Sequence, residues 1–224
     1  MDHTVIALDL SSSPSRGSGS SLLDILDSYD DSLVVSVSAF AGVEGWIAAA
    51  LESGTEVSEC RSFDGPSIIS SLREEHRGLA EALGAPAAAT EAAGLRIDRI
   101  LGGLWTLVAC PAVGGSRRLR SLAVGEKLAA ICVALALASL GRPTPLVEPF
   151  ELGLGEAEPQ AERIVALISP LPGAVIPGLR AAWPIAAALG LDEPGLETLD
   201  SSLSSRRSPH YIERARVVSA PTVA

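Results

Sequence analysis

Aromatic residues and lysine are scarce in this 224-residue sequence. Only 4% of the residues are aromatic although 47% are hydrophobic, so the core must be built from Ala, Leu, Val and Ile. The 17 basic residues include a single lysine, Lys127, and they face 27 acidic residues, which gives a formal net charge of −10. A surface this acidic repels phosphate backbones and anionic lipid, so we expect no nucleic-acid partner and no membrane partner.

Cysteine, histidine and long apolar runs are also few. The three cysteines, Cys60, Cys110 and Cys132, are odd in number and widely spaced, which favours reduced thiols and a cytoplasmic protein. No histidine has metal-ligand spacing to a cysteine or carboxylate, so no metal is expected, and His76 lies in a charged stretch that predicts a solvated side chain.

The most apolar segment, 128–140, is shorter than the about 20 residues that span a bilayer and predicts a buried helix. No basic stretch with an apolar core opens the chain, so no signal peptide is expected.

Strand-like and helix-like stretches alternate along the chain. Residues 5–8 and 33–38 are apolar or β-branched runs typical of strands, whereas 66–83 and 122–140 have apolar residues at helical spacing. This alternation predicts an α/β fold, a three-layer αβα sandwich with a mainly parallel sheet. No repeat and no linker is visible, so we expect residues 1–224 to form one domain.

The second half of the chain continues this pattern with shorter elements. The stretch 143–152 predicts a strand and a turn, and 162–177 predicts a strand pair or a strand and a loop. Residues 181–190 predict a helix. Gly141 directly follows the longest apolar helix pattern and predicts the C-terminal cap of that helix.

A loop of small residues follows the first strand. Residues 11–19 are Ser, Gly and Pro with one cation, Arg16, and they stand between a strand pattern and a helix pattern. This order presents backbone N–H groups to phosphate in nucleotide-binding folds, but those loops usually carry a lysine and this loop has none. The loop is therefore either a phosphate site or the remnant of one.

Several stretches of the chain carry a resemblance to a known family. They are LVVSVSAFAGVEGWI (33–47), LRSLAVGEKLAAICVALALASLGRPTPLVEPFEL (119–152), AVIPG (174–178), AAWPIAAALGLDE (181–193) and SPHYIERARVVS (208–219). In this order they resemble the catalytic domain of aspartokinases, in the amino-acid kinase family. The resemblance implies an amino-acid kinase-like fold, and we expect one such domain without the regulatory ACT domains that usually follow it in the family.

The chain departs from the family at the ATP-binding elements. The family opens with KFGGTS, whose lysine and glycines hold ATP phosphates, whereas LDLSSS stands at 8–13. The family's TLGRGGSD element is missing, because Gly178 runs into the next helix and Arg180 is its remnant. The family's WTDVDG stretch keeps Asp200 alone. A loop with Asp9 in place of a lysine repels phosphate, so we predict that the protein uses neither ATP nor another cofactor.

The resemblance also implies that part of a substrate pocket is kept. Glu126 stands where the family's substrate-contacting glutamate does, and Ser38 would line the same pocket. Glu44 replaces a neutral residue that touches the substrate carboxylate in the family, so an anionic substrate would be repelled. With Glu126 it would form a carboxylate pair for general acid–base chemistry, although the first turn of a helix favours a glutamate without any such role. Arg180 and Asp9 complete the expected substrate-binding residues.

Different classes of function remain open at this point. The first is an aspartokinase-like enzyme that acts without ATP on a small molecule, by acid–base isomerisation, cyclisation or elimination, in specialised metabolism. The second is a non-catalytic regulatory or scaffolding partner of a true aspartokinase. A residual kinase is the third and is disfavoured by the missing ATP elements.

The apolar faces around Trp105 and 128–140 exceed what one small domain buries, which predicts a homodimer.

Overall fold

The computed structural model describes residues 3–29, 32–53, 65–109, 116–154 and 160–199. In chain order the elements are β1 (Thr4–Asp9), α1 (Gly19–Asp27), β2 (Leu33–Val37), α2 (Val43–Ser53), α3 (Gly65–Ala82), α4 (Ala87–Ala109), α5 (Ser116–Ser139), α6 (Ala161–Ile168), β3 (Ala174–Pro177), a 3₁₀ turn (Leu179–Ala181), α7 (Ala182–Ala188) and β4 (Gly195–Thr198).

The strands form one sheet in the order β3-β2-β1-β4, and every neighbouring pair is parallel. The register places Val5 of β1 opposite Val34 of β2, and Val35 of β2 opposite Val175 of β3. Because all of these strands run in the same direction, their carboxyl ends meet at one edge of the sheet. The loops that follow the strands therefore converge at that edge.

Helices cover both faces of the sheet. Ile6 and Leu8 of β1 point into a core with side chains from α1 to α5, whereas Val5 and Ala7 point into a second core with side chains from α6 and α7. This alternation is the two-residue period of a strand that is buried on both faces. The predicted three-layer αβα sandwich is therefore confirmed. Helices α1 to α5 form the larger helical layer, on the face of the sheet to which Ile6 points.

Helix α5 is the central element of the larger layer. It packs against α1, α2, α3, α4 and β3, and its apolar side chains from Leu128 to Leu137 are almost all buried. The helix ends in a Schellman motif, in which Gly141 has a φ of 79° and the Arg142 N–H donates to the Leu137 carbonyl over 2.8 Å. The predicted cap is confirmed. In the described part of the chain, no helix is both long and apolar enough to cross a membrane.

The burial of α5 removes part of the argument for a homodimer. The apolar run at 128–140 packs mostly inside the chain's own core, and only Ala134 and residues 138–140 are partly exposed, so it offers little surface to a second copy. Trp105 of α4 is different, because its side chain remains 45% exposed. Only this part of the predicted interface is still available to a partner.

Two of the predicted strands are wrong. The stretch 143–152 makes only a single bridge, between Leu146 and Val175, and then turns, because prolines interrupt it. The first half of 162–177 is helix α6, in which Ile164 and Ile168, four residues apart, are buried on one face. The second half is strand β3, as expected.

Candidate active site

A cleft of about 630 Å³ lies at the carboxyl ends of β1, β2 and β3. Its volume is within the range of about 300–1,000 Å³ that is usual for small-molecule sites. In a parallel sheet this edge is the usual place for a ligand, because the loops there converge and backbone groups at the strand ends are available. The cleft is lined by Asp9, Ser11, Ser38, Glu44, Glu126, Pro149, Leu154, Pro177, Gly178, Leu179, Arg180, Ala181 and Pro184.

The structure brings the five residues singled out in the sequence to this one cleft. Asp9 is the last residue of β1, Ser38 follows β2, and Glu44 is the second residue of α2. Glu126 lies in α5, and Arg180 lies in the 3₁₀ turn after β3. These residues are far apart in the sequence. They lie together because the parallel sheet brings the carboxyl ends of its strands to one edge. Their roles in binding or chemistry remain predictions.

Asp9 and Ser38 form a fixed pair at the ends of the two central strands. The Ser38 hydroxyl donates to Asp9 Oδ1 over 2.9 Å and accepts from the Leu10 N–H over 2.7 Å. The Ser11 N–H also donates to Asp9 Oδ1 over 2.9 Å. Burial raises the pKa of Asp9, but the hydrogen bonds from Ser11 and Ser38 together outweigh it and hold that pKa below its usual value. Asp9 is therefore a carboxylate at neutral pH.

The serine-rich loop after β1 is bonded to the rest of the protein. The hydroxyls of Ser12 and Ser13 both donate to the Leu199 carbonyl, Ser12 over 2.9 Å. The Ser15 hydroxyl donates to Glu75 Oε2 of α3 over 2.8 Å. These serine hydroxyls are therefore already engaged within the protein.

Glu126 is the half-buried carboxyl of the cleft. Burial raises its pKa, and the negative charge of Glu44 raises that pKa further. Within the described ranges, no hydrogen bond and no ion pair reaches this carboxyl group from the protein. Glu44 itself is solvent-exposed, so it acts on Glu126 through its charge and is not half of a buried carboxylate pair. Glu126 is thus free to contact a ligand.

Gly178 forms the turn directly after β3, beside Glu126. Its φ is 102°, a value that side chains rarely tolerate, and its N–H donates to the Val37 carbonyl over 2.9 Å. A Cβ at this position would lie 3.6 Å from Glu126 Oε2. This distance is an ordinary van der Waals contact, so the positive φ, and not the space beside Glu126, is what favours a glycine here.

Lys127, the one lysine of the sequence, forms an ion pair outside the β1 loop. Its Nζ pairs with Glu148 Oε2 over 2.8 Å, and both side chains are about one-third exposed. Glu148 precedes Pro149 of the cleft wall, so the pair ties this wall to α5, although a pair this exposed contributes little to stability. A lysine held there does not neutralise phosphate at the β1 loop.

Sequence reasoning missed the apolar wall of the cleft. Pro149 and Leu154 come from the segment between α5 and α6, which was predicted as a strand and turn. Pro177, Leu179 and Pro184 come from the end of β3 and the elements after it. A proline directly after an apolar strand was the one signal that pointed to a loop at the carboxyl edge.

The structure gives no metal site in the ranges that it describes, where no group of three or more His, Cys, Asp or Glu side chains is placed to hold an ion. Cys132 is fully buried, and burial raises the pKa of its thiol to about 12, so it is an unreactive core residue. Cys60, Cys110, Asp200 and the resemblance at 208–219 lie outside the described residues.

No protein-family model and no curated protein matches this chain by sequence. Among solved structures, it is similar to Escherichia coli aspartokinase III in complex with aspartate and ADP, with a TM-score of 0.65 and 16% identity over 88% of this chain and 49% of that one. The same enzyme in complex with lysine and aspartate gives a TM-score of 0.65 and 14% identity, with the same coverage. Clostridium acetobutylicum aspartate kinase gives 0.56 and 13% identity, over 79% of this chain and 39% of that one.

These similarities show that the chain has an aspartokinase-like amino-acid kinase fold. The chain spans about half the length, or less, of the aspartokinases that it matches. At such low identity the likeness establishes the fold alone, so the activity has to be argued from the cleft.

Proposed function

We propose that this protein binds a small molecule in the cleft and that Glu126 transfers a proton to or from it, without ATP or another cofactor. The reaction class would be an isomerisation, a cyclisation or an elimination, each of which needs a general acid or base. One observation carries the proposal. Glu126 is half-buried, has a raised pKa and is free of protein partners within the described residues, in a cleft of ligand size.

The carboxyl groups of the cleft have environments that favour different protonation states. Hydrogen bonds from Ser11 and Ser38 hold Asp9 ionised, whereas burial and Glu44 favour the protonated form of Glu126. Two carboxyl groups whose pKa values are pushed in opposite directions are a common arrangement in acid–base enzymes. Glu126 is therefore the proton donor or acceptor in our proposal, and Asp9 supplies a fixed negative charge.

The proposed reaction does not use ATP, because the groups at the β1 loop are unsuited to phosphoryl transfer. Phosphoryl transfer needs cations and free N–H or hydroxyl donors around the transferred group. At the β1 loop the Ser12 and Ser13 hydroxyls bond to Leu199, and the single lysine pairs with Glu148. The last residue of the strand is Asp9, whose carboxylate lines the cleft and repels a phosphate, whereas Arg16, the one cation of the loop, is exposed and is not among the lining residues.

Deuterium incorporation tests the proposal without knowledge of the substrate. A mixed extract of cellular small molecules is incubated with the protein in D₂O, and compounds that gain deuterium or change mass are detected by mass spectrometry. We expect at least one compound to change with the wild-type protein and not with Glu126→Gln, which keeps the shape of the side chain. Glu91→Gln, an exposed substitution on α4 outside the cleft, is the matched control and should behave as wild type.

Equal behaviour of the wild-type protein and Glu126→Gln in this assay would contradict acid–base catalysis by this residue. If no compound changes even with the wild-type protein, the remaining function is the non-catalytic one, a regulatory or scaffolding partner of a true aspartokinase.

A further inference from the structure

We propose that the cleft selects organic cations with an apolar body and rejects carboxylates and phosphates, an inference that rests on the proposed function because both place the ligand in this cleft. Three carboxyl groups line the cleft, those of Asp9, Glu44 and Glu126, against one guanidinium group, that of Arg180. Opposite charge in a partly desolvated site attracts more strongly than in water, and like charge is excluded more strongly.

The negative charge of the cleft is not compensated by the protein. In the described part of the chain the salt bridges are Arg73–Asp98, Arg77–Asp98 and Lys127–Glu148, and none of them includes a carboxyl group of the cleft. Arg180 and Glu44 are both solvent-exposed, so water screens their charges, and the carboxyl groups of Asp9 and Glu126 are the less screened charges of the cleft. A cationic ligand would therefore supply the missing counter-charge and would favour the ionised form of Glu126, which burial and Glu44 disfavour in the free protein.

The cleft also has few groups that can donate to an anion. The Ser11 N–H and the Ser38 hydroxyl already bond to Asp9. Three wall residues are prolines, Pro149, Pro177 and Pro184, and a proline has no backbone N–H to offer. A carboxylate or phosphate that binds the Arg180 side chain would also approach the carboxyl groups that line the cleft.

The walls define the remainder of the ligand. Apolar surface of the cleft that Glu126 also lines comes from Pro149, Leu154, Pro177, Leu179 and Pro184. Burial of a ligand's apolar surface against them contributes about 25 cal/mol of favourable binding free energy per Å² of surface removed from water. The ligand class is thus an amine or other organic cation whose charged end lies at Glu126 and whose apolar part lies on this wall.

Three probes of similar shape separate charge from apolar contact: phenethylamine, phenethyl alcohol and hydrocinnamate, which are cationic, neutral and anionic. Calorimetric titration of the full chain should show the amine binding at least about tenfold more tightly than the alcohol, and no binding of hydrocinnamate. Glu126→Gln should weaken amine binding about tenfold, which is about 1.4 kcal/mol, and leave the alcohol unchanged. Glu91→Gln, with the same loss of one charge outside the cleft, should leave both unchanged.

The inference is overturned if hydrocinnamate binds as tightly as the amine, if the amine binds no better than the alcohol, or if Glu91→Gln weakens the amine as much as Glu126→Gln does. Circular dichroism of each variant confirms that it is folded before titration. The deuterium experiment separates this inference from the proposed function. Amine selectivity without deuterium incorporation supports the ligand class and contradicts catalysis, whereas incorporation together with anion selectivity contradicts the ligand class alone.

Discussion

His76 should make the folding stability of this protein depend on pH just below neutrality. Its side chain is 0% exposed. Nδ1 lies 2.8 Å from the Leu72 carbonyl oxygen, and Nε2 has no hydrogen-bond partner among the described residues. The ring is therefore neutral, with its proton on Nδ1. Burial lowers the pKa of His76 below 6.5, and the Leu72 carbonyl and the Glu75 charge offset this only in part.

The sign of the effect follows from which state binds the proton. Above about pH 6.5 the imidazole is neutral in both the folded and the unfolded chain, so the full stability is present. Below that pH the unfolded chain takes up a proton that the folded chain does not. The free energy of unfolding then falls by up to about 1.4 kcal/mol per pH unit from this one group, until the folded pKa is reached.

Comparison with His76→Leu isolates this contribution from those of the carboxyl groups. Urea unfolding of both proteins at about pH 7.5 and about pH 5.5 should show a relative gain of up to about 1.4 kcal/mol for the variant at the lower pH. Parallel changes in the two proteins would refute the reasoning. An NMR titration of the wild-type ring gives a second test that does not depend on the variant, since a His76 pKa at or above 6.5 would also refute it.

Three further predictions concern the cleft and the assembly. Gly178→Ala should destabilise the fold by about 1 kcal/mol because the φ of this residue is positive. Gly102→Ala in α4, with open space around it, should be neutral or stabilising in thermal unfolding, and equal effects of the two substitutions would contradict this. Glu44→Gln should lower the pKa of Glu126 in a carbon-13 NMR titration without restoring its usual value, since burial is the larger cause; an unchanged pKa would show that Glu44 has no influence. We expect light scattering to show a homodimer that uses the face of α4 with Trp105, and a mass of 23.0 kDa would exclude it.

The layered fold could be predicted from the sequence because its strong patterns are local. Strands β1 and β2 are short apolar runs, and α5 is a long apolar helix that ends at Gly141. Helix α6 was predicted as a strand because its eight residues are too few to distinguish a helical period from a strand when most of them are apolar. Strand β4 was not predicted, since GLET carries only a weak alternation at the edge of the sheet.

The burial of His76 could not be predicted, because it depends on contacts between distant residues. The charged stretch around it looks solvated, yet Arg73 and Arg77 both reach Asp98 of α4 over 3.0 Å. These ion pairs join α3 to α4 and leave the histidine on the inner side, against Phe40. Only the tertiary structure shows which side of a charged helix faces inward.

The cleft could be predicted only in part, and for a similar reason. The resemblance to aspartokinases indicated the polar residues, because each of them lies in or beside a stretch that is compared with a family motif. The exposure of Glu44 and the apolar wall of Pro149 and Leu154 depend on how distant segments pack, and no local pattern encodes that.

Calorimetric titration with MgATP tests the central claim most directly, namely that this aspartokinase-like fold works without a nucleotide. The β1 loop presents Asp9 and engaged serine hydroxyls where a phosphate site needs cations and free donors. We predict no binding heat with MgATP at neutral pH from a protein that circular dichroism shows to be folded. A dissociation constant in the micromolar range would contradict the account.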